Sequence, residues 1–468
     1  MPEKTTNTEK NINKYYFSKY EDRVPPPPVP YSPWREALFQ FLATLNIGLG
    51  GWYITWRWTS SLNPEAMWFS VTLALAETAA YIGMVLFSIN MWYDREFIIP
   101  EVPEFITDCA KDPSAEKRPI SIDVFFPTYN EDIELVRLSI KDAKKIIYPF
   151  NIDIKIHVLD DGKREEMKKV AEEEGVNYIT RNNNAGFKAG NLQNAMEQTC
   201  GDFIVICDAD TRPFPTILAH TLGYFRDSHM AWVQTPQWFF DIPEGERLPI
   251  CFKKKLGLPG ELLGKIIETI YGPTTLGDDP LGNDPKLFYE IILKRRDVFN
   301  ASFCCGAGSI HRREAVMEAA LKRFSRKITD HVEKFTGKIE DKEIKEAVSE
   351  TIKREMIEET PVSPYMYHVS EDIYTSIILH SDSDRKWKSV IHPQVESKML
   401  SPQDLLTWVI QRFKYAGGSL DIRSFLLAEG YVHAYRLFLS FLYMECRIPS
   451  GSCGISLYRY SSCKCLLI

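Results

Sequence analysis

Polar residues, most of them acidic, follow three short apolar segments of the sequence, at the points where those segments end. Thr128 and Glu131 follow the first segment, Asp160 follows the second, and Asp208 and Asp210 follow the third. A nucleoside diphosphate needs a hard divalent cation to neutralise it, and Mg²⁺ prefers one or two carboxylates together with phosphate oxygens. The pattern therefore predicts a site for a diphosphate and a metal ion, with Asp208 and Asp210 as the metal ligands.

The Asp-x-Asp sequence by itself is a weak signal, because it occurs again at Asp382 and Asp384. No apolar strand leads into the second copy, so we expect it to lie in a surface loop. The first copy follows an apolar run and comes after Asp160 in the same series of strands and helices. Between them, the turn-rich segment 184–191 carries Lys188, which can reach a phosphate or a sugar hydroxyl.

Alternating strands and helices must position these side chains. Runs at 122–126, 152–159 and 203–207 are rich in β-branched and aromatic residues, and helical segments at 134–147 and 165–174 separate them. This alternation is typical of a parallel sheet with helices on both faces. Ligands of such sheets bind beyond the carboxyl ends of the strands, where the acidic residues lie. A charged stretch at 313–365 is expected to be a solvated helical insertion.

Two apolar segments precede this alternating region. Residues 37–56 carry no charge and 67–93 contain one acid, Glu77; each is long enough to cross a bilayer as a helix. Tryptophans flank the first segment, as at a membrane interface. We expect Glu77 to lie on a helix-packing face or to be functional. Positive charges precede the first segment and the link contains only Arg57, so the positive-inside rule places both the N-terminus and the region after Asp94 in the cytosol. The preceding cations are Lys4, Lys10, Lys14, Lys19, Arg23 and Arg35.

The totals of the chain agree with a membrane protein that has a cytosolic domain. The 468 residues exceed the size at which one core usually stops growing, and the net charge of -7 argues against nucleic acid as a partner. Ten cysteines without the spacing of a zinc site indicate a reducing compartment. We predict a polar, Pro-rich leader at 1–33, two spans at 34–95, a cytosolic domain at 100–430 and the start of a further membrane segment at 431–468.

The C-terminal residues differ in composition from the rest of the chain. An apolar segment begins at 431–444, but from Cys446 onwards serines and cysteines dominate. We expect a truncation or frame shift near that point. If the chain ends there naturally, two or three spans cannot enclose a pore, and polymer export would require oligomers or a partner. The last four residues, Cys465–Ile468, formally fit a prenylation box, which the terminal isoleucine disfavours.

Four further motifs complete an ordered set. They are 234–239 (QTPQWF), 303–306 (FCCG), 370–372 (SED) and 411–415 (QRFKY). Together with the acidic residues at the strand ends, they resemble the processive family 2 glycosyltransferases, and among them most closely the bacterial cellulose synthases. The resemblance covers about residues 119 to 422 and includes the two preceding spans.

The resemblance implies a GT-A nucleotide-sugar fold and inversion of the anomeric centre in one displacement. It makes Asp372 the general base that takes the proton from the acceptor hydroxyl, although a carboxylate at a helix N-terminus would also explain this residue. The metal would be Mg²⁺ or Mn²⁺, held by Asp208 and Asp210. Donor binding would fall to Thr128, Glu131, Asp160, Lys188, Asp208, Asp210, Gln411 and Lys414, and acceptor binding to Trp238, Cys305 and Tyr415.

One motif departs from the family pattern. Lys414 and Tyr415 stand where the family has Arg and Trp. Arg offers a planar fork to a pyrophosphate, whereas Lys is a point charge, so the leaving group should be held differently. Tyr415 can still stack on a sugar ring, as can Trp238, but the smaller platform puts cellulose as the specific product in doubt.

The sequence thus predicts a multi-pass enzyme of the plasma membrane that polymerises a β-glucan from UDP-glucose. Its partners would be the UDP-sugar, the growing glycan, the lipid bilayer and either further copies of the chain or an export partner. Three alternatives stay open: a synthase that uses another UDP-sugar, a single-transfer enzyme with a lipid acceptor, and a non-catalytic membrane partner that keeps the fold. The presence of the carboxylates argues against the last.

Overall fold

A computed structural model describes residues 15–110, 116–243, 245–277, 279, 281–359 and 361–428. The helices are α1 (Pro33–Ser60), α2 (Met67–Asn90), α3 (Ile133–Ala143), α4 (Glu165–Glu174), α5 (Phe187–Gln198), α6 (Ile217–Thr221), α7 (Leu248–Tyr271), α8 (Lys294–Asp297), α9 (Arg313–Thr336), α10 (Lys342–Glu359), α11 (Glu371–His380) and α12 (Leu405–Ala428). The strands are β1 (Ile120–Thr128), β2 (Ile152–Asp160), β3 (Asn177–Ile179), β4 (Phe203–Ile206), β5 (Arg212–Pro213), β6 (Met230–Gln234), β7 (Trp238–Phe239), β8 (Glu246–Arg247), β9 (Thr275–Leu276), β10 (Ser309–Arg312), β11 (Lys388–Ile391) and β12 (Ser397–Met399).

The chain forms two units, each assembled from separate stretches of sequence. The sheet unit comprises residues 99–235 and 303–392. The hairpin unit comprises the described residues up to 98, residues 236–302, and the described residues from 393 onwards. The predicted domain 100–430 contributes to both units, and its bounds stay a prediction.

A seven-stranded sheet forms the centre of the sheet unit, in the order β11-β6-β10-β4-β1-β2-β3. The pairs β1–β2, β1–β4, β2–β3 and β6–β11 are parallel, whereas β10 runs antiparallel to both of its neighbours. The prediction of a mostly parallel sheet is therefore confirmed. Since β1, β2 and β4 run in one direction, the residues that follow them emerge at one edge of the sheet.

Alternate residues of these strands face opposite layers of helices. On one face, Phe125 and Leu159 pack with Leu192 of α5 and Val316 of α9. On the other face, Val158 packs against apolar side chains of α3 and α4. Burying each side chain of this size contributes about 1.5 to 3 kcal/mol. The helices on the two faces therefore fix the position of the sheet edge at which the acidic residues lie.

Two antiparallel helices, α1 and α2, dominate the first part of the hairpin unit. Arg57 forms an ion pair of 2.8 Å with Glu77, and the hydroxyl of Tyr81 donates to the carbonyl of Ile47 at 2.8 Å. Gly50 lies under the ring of Tyr81, where a Cβ would approach a ring carbon to 2.6 Å. Glu77 therefore has a role in helix packing.

By length and composition, two helical segments among the described residues can cross a membrane. They are Pro33–Ser60 and Pro64–Asn90, and an 18-residue window within each has a mean hydropathy of 1.2 and 1.6, respectively. Only 6% and 17% of these two windows are buried within the protein, although both are apolar. Exposed apolar helices of this length suit a lipid environment better than water.

The rest of the hairpin unit includes the parallel strands β7 and β12 and the N-terminal segment. Phe17 is buried against Phe240, at 5.8 Å between ring centroids, and Lys398 pairs with Glu21 at 2.8 Å. In this strand pair Trp238 of β7 lies opposite Lys398 of β12. The predicted leader thus includes a segment that packs on the fold.

Several sequence predictions can be compared with these bounds. The helix predicted at 134–147 ends earlier, at Ala143, and the charged stretch at 313–365 forms α9 and α10. The predicted span 67–93 corresponds to α2. The predictions for Lys4, Lys10 and Lys14, for the membrane segment at 431–444, for the altered composition from Cys446 and for the terminal prenylation box lie outside the described residues.

Candidate active site

The loops after β1 and β2 are fixed to each other by Arg164. Its guanidinium donates to the hydroxyl of Thr128 at 2.8 Å, to the carbonyl of Glu131 at 2.6 Å and to the carboxylate of Asp160 at 3.3 Å. Asp160 is fully buried and also accepts hydrogen bonds from the amides of Gly162 and Arg164. The structure thus brings together three of the predicted donor-binding residues around a cation that the sequence did not single out.

Thr128 and Glu131 form a tight turn at the end of β1. The carboxylate of Glu131 accepts from the Thr128 hydroxyl at 2.7 Å and from the amides of Tyr129 and Asn130. Glu131 itself is exposed. This turn presents polar groups at the edge of the sheet next to Asp160.

A second arginine holds the segment that leads to Lys188. Arg181 forms two hydrogen bonds to the carboxylate of Asp161, at 2.7 and 2.6 Å, and donates to the carbonyls of Ala185 and Phe187. A paired arginine and carboxylate of this kind fix orientation as well as position. Phe187 has a φ of 48°, which is unusual outside glycine, and begins α5 directly before Lys188. The restrained turn therefore fixes the direction in which Lys188 leaves the backbone.

Lys188 lies between carboxylates that come from distant parts of the sequence. Its ammonium is 2.6 Å from the carboxylate of Asp208 and 3.7 Å from that of Glu371. Although burial disfavours the ammonium, Asp208 and Glu371 raise the pKa of Lys188, so it stays charged. Asp208 leaves 47% of its side chain exposed, and Asp210 is also partly exposed, so both carboxylates are accessible to a ligand.

Glu371 and Asp372 form the first turn of α11. Burial, followed by the proximity of Glu371, raises the pKa of Asp372 to about 7, and burial raises the pKa of Glu371 as well. Both carboxyl groups line a small cavity with room for about one water molecule. The rest of its lining is largely apolar and includes Leu192, Ile206 and Leu379. An apolar wall disfavours ionised carboxyl groups, so Asp372 can change its protonation state near neutral pH.

The loop before β10, residues 303–308, closes this side of the site. Gly306 has a φ of 78°, and a Cβ there would lie 3.4 Å from the Lys188 ammonium and 3.5 Å from the Asp372 carboxylate. The buried side-chain amide of Gln234 accepts from the Cys305 backbone at 2.7 Å and donates to the carbonyl of Ala307 at 3.0 Å. Gln234 therefore fixes the loop, and Cys305 is only partly buried within it.

The remaining predicted residues belong to the hairpin unit. Trp238 is partly exposed in β7, with the Arg23 guanidinium 5.8 Å from its ring. Gln411 and Tyr415 are one helical turn apart on α12, and the side chains of Lys414 and Tyr415 are exposed. The Arg412 guanidinium lies 5.9 Å from the Tyr415 ring, so a cation accompanies the predicted stacking platform.

Sequence reasoning did not identify Glu371, Gly306, Arg164 or Arg181 as parts of the site. Glu371 stands next to Asp372 in the same motif, so the prediction for Asp372 could have drawn attention to Glu371. The two arginines carry no such signal, because their partners lie up to 36 positions away in the chain. The roles predicted for the individual residues stay predictions.

Lys188 lies among carboxylates that have two different environments. Asp208 and Asp210 are accessible and suited to a hard cation, whereas Asp372 is held near the point of protonation by an apolar surrounding. Two such environments suit two different tasks, charge binding by one carboxylate pair and proton transfer by the other group. The arrangement can therefore bind a diphosphate and remove a proton from a hydroxyl.

Part of the chain is similar to known proteins. The family model described as glycosyl transferase family 2 matches residues 123–319. The chain is 33% identical over 270 residues to the UDP-forming cellulose synthase catalytic subunit of Pseudomonas fluorescens (strain SBW25), a match that covers 57% of this chain and 32% of that protein. It is also 33% identical over 286 residues to the cellulose synthase 1 catalytic subunit of Komagataeibacter xylinus, covering 59% of this chain and 33% of the relative.

The chain therefore matches about a third of the length of these curated relatives. Among solved structures, it is similar to the mannosyltransferase PcManGT from Pyrobaculum calidifontis in complex with GDP-Man and Mn²⁺. That comparison has a TM-score of 0.44 and 13% sequence identity, and covers 85% of this chain and 91% of the other.

Proposed function

Because the chain carries a family 2 glycosyltransferase domain and resembles bacterial cellulose synthase catalytic subunits, we propose that it polymerises a β-glucan from UDP-glucose. The sheet unit has the GT-A fold that the sequence predicted. The observation that carries the proposal is the cluster of Lys188, Asp208, Glu371 and Asp372 at the carboxyl end of the sheet. It offers both a diphosphate site and a base, as inverting sugar transfer requires.

In this proposal the loops after β1 and β2 bind the uridine end of the donor. Arg164 holds Thr128, Glu131 and Asp160 in one arrangement before the ligand arrives, which lowers the entropic cost of binding. Lys188 would lie beside the diphosphate, where its charge favours the negative leaving group.

A divalent cation fits the residues present. The carboxylate of Asp208 is accessible and lies beside the ammonium of Lys188. Asp210 is two positions further along the chain and is also partly exposed. Both residues offer only the oxygen ligands that Mg²⁺ and Mn²⁺ accept. Relatives of the chain are described as UDP-forming, which agrees with a diphosphate as the leaving group. When bound, the ion would neutralise the diphosphate and help it to leave.

The transfer itself needs a base beside the acceptor hydroxyl. Asp372 would accept the hydroxyl proton while the acceptor oxygen bonds to the anomeric carbon and the bond from that carbon to the diphosphate breaks. This single displacement inverts the anomeric centre and releases UDP. A carboxylate whose pKa is raised to about 7 is a stronger base than an ordinary aspartate and is still largely ionised slightly above neutral pH.

Placement in the membrane forms part of the same proposal. The two apolar segments and the charges that flank them favour a plasma-membrane enzyme with its catalytic residues in the cytosol. The growing glycan would be the acceptor, with Trp238 and Tyr415 as ring-stacking surfaces and Cys305 beside the acceptor. Gln411 and Lys414 would contribute to donor binding on α12.

The experiment uses the full chain in detergent with Mg²⁺ and a panel of radiolabelled UDP-sugars. We expect UDP release with UDP-glucose and labelled polymer that a β-1,4-glucanase degrades. Asp372→Asn should reduce both at least about 100-fold, whereas Asp382→Asn, the same chemical change in a carboxylate paired with Lys322, should retain them. Absence of turnover with every sugar would refute the proposal in favour of a non-catalytic chain.

A second candidate is a polysaccharide synthase that uses another UDP-sugar. The observation in its favour is the pair Lys414 and Tyr415, which replaces the Arg and Trp of the family and changes the shape of the predicted leaving-group and stacking surfaces. Turnover with a sugar other than glucose in the same panel would select this candidate.

A further inference from the structure

The hydroxyl of Ser376 connects two parts of the sheet unit that carry the proposed chemistry. It donates to the carbonyl of Asp372, four residues earlier in α11, at 2.8 Å, and accepts from the backbone amide of Cys304, in the loop at 303–308, at 2.9 Å. Serines within helices commonly make the first of these bonds. The second joins residues 72 positions apart in the chain, and only 1% of Ser376 is exposed. The proposed sugar transfer assigns no role to this residue.

The two carboxylate oxygens of Asp372 have different surroundings. Oδ1 accepts a hydrogen bond from the amide of Ile373 at 2.8 Å. Oδ2 lies beside the loop at 303–308, because a Cβ at Gly306 would be 3.5 Å from it. A hydrogen bond to an ionised carboxylate oxygen stabilises the charge and makes that oxygen a weaker base. The proton of the acceptor hydroxyl should therefore pass to Oδ2, the oxygen beside the loop.

The loop is held from two sides. From β6, the Gln234 side chain binds the amide of the residue before Gly306 and the carbonyl of the residue after it, at 2.7 and 3.0 Å. From α11, the Ser376 hydroxyl binds the amide of Cys304, two residues before Gly306. Loss of this hydroxyl would leave the loop bound to β6 and remove a bond to the helix that carries the base.

We propose that Ser376 is a positioning residue for the base: its hydroxyl holds the loop at 303–308 against α11, and the loop in turn excludes water from Oδ2 of Asp372. The inference rests on the proposed sugar transfer and assigns it a further residue. Without the hydroxyl, the buried amide of Cys304 would lack this acceptor, and an unsatisfied buried donor favours conformations in which it reaches water. The loop would move, and water would reach the base.

Replacing Ser376 leaves the charges around Asp372 unchanged. Four titratable groups face this carboxylate, one from its own helix and three from neighbouring elements: Glu371, Lys188, Asp208 and Cys304. Burial is the largest cause that raises the pKa of Asp372. Because Ser376→Ala removes no charged group, a lower pKa of Asp372 in this variant would report the entry of water.

The test compares Ser376→Ala with Ser381→Ala in the full chain in detergent. Ser381 stands directly after α11, and its hydroxyl donates to the carbonyl of Ile377, four residues earlier, at 2.7 Å. The control thus removes the same kind of helical bond at the far end of α11. Alanine is the best helix former, so both variants should fold, and thermal unfolding checks this.

The first readout is the rate at which N-ethylmaleimide modifies Cys305, with the position of the label assigned by fragment-ion mass spectrometry. Cys305 is partly buried in the loop, so in Ser376→Ala it should react about five- to tenfold faster. The second readout is UDP release from UDP-glucose with Mg²⁺ as a function of pH. Its midpoint should fall from about 7 by about half a unit, with kcat reduced about three- to tenfold and the KM for UDP-glucose changed less than about twofold.

Ser381→Ala should match the unmodified protein in both readouts, and Ser376→Thr, which keeps the hydroxyl, should restore both. Unchanged labelling of Cys305 in Ser376→Ala would overturn the inference independently of any sugar transfer. Faster labelling with an unmoved pH midpoint would overturn it too, because the loop would then exclude no water from the base. If the unmodified protein releases no UDP from any UDP-sugar, the proposed function fails, and the role of Ser376 in it fails as well.

Discussion

Replacing Asp372 with asparagine should greatly reduce transfer and stabilise the protein at the same time. The proposed base costs the folded state free energy when it ionises, because burial and Glu371 disfavour its charge. A carboxyl group whose pKa rises from 3.8 to about 7 reduces the free energy of unfolding by up to about 4 kcal/mol once it is ionised. The asparagine side chain would keep the shape of the aspartate without the charge.

The sign of the effect depends on pH. Below pH 3.8 the carboxyl group is protonated in both the folded and the unfolded chain, so its ionisation does not change the free energy of unfolding. Between that value and about 7 only the folded state keeps the proton, and stability decreases as the pH rises. Above about 7 the full cost is present, so the stability gained in Asp372→Asn should be larger at pH 8 than at pH 5.

Thermal unfolding of the detergent-solubilised protein measures this difference, and UDP release measures activity. We expect a higher midpoint temperature for Asp372→Asn at pH 8 and a loss of activity of about 10²- to 10⁴-fold. Asp382→Asn is the matched control, and it should lower the unfolding temperature instead of raising it. Although burial opposes this, Lys322 holds the pKa of Asp382 below its usual value, and the substitution removes that ion pair. Equal destabilisation of both variants at pH 8 would refute the reasoning.

Further predictions concern the same site. UDP release by the unmodified protein should increase roughly tenfold between pH 6 and pH 8, as Asp372 ionises with a pKa of about 7; a flat profile would contradict this. Lys188→Met removes a cation that lowers the pKa values of Glu371 and Asp372, so the midpoint of the pH profile should move upwards and the KM for the donor should rise. Arg164→Ala frees the loops after β1 and β2, and should raise that KM about tenfold with a smaller effect on kcat. Removal of divalent cations with EDTA should stop turnover, and added Mg²⁺ or Mn²⁺ should restore it; activity that persists would argue against the ion.

The local pattern was sufficient to predict the elements that carry the site. The runs at 122–126 and 152–159 are strands, the run at 203–207 is a strand up to Ile206, and the segment at 165–174 is a helix with the predicted bounds. Strand and helix formation depend on periodicity and on residue preferences within about ten positions, and both are visible in the sequence. The order of strands and helices also predicted that the sheet would be mostly parallel.

The direction of β10 and the break in α7 were not predicted. A short strand pattern is the same whichever way the strand runs, so β10 became antiparallel only through its neighbours β4 and β6. The turn at Gly257 requires a positive φ and two close backbones, and the sequence shows only a glycine near a proline. Tertiary contacts decided both.

For the candidate site, the sequence by itself determined which carboxylates stand at the strand ends and which motifs accompany them. Only the tertiary structure decided that Glu371 lies 3.7 Å from Lys188, that Arg164 binds two loops together, and that Asp372 faces an apolar wall. The physical reason is that charge interactions and burial depend on distances between residues far apart in the chain. A residue's type is local information, whereas its pKa is set by whatever the fold brings beside it.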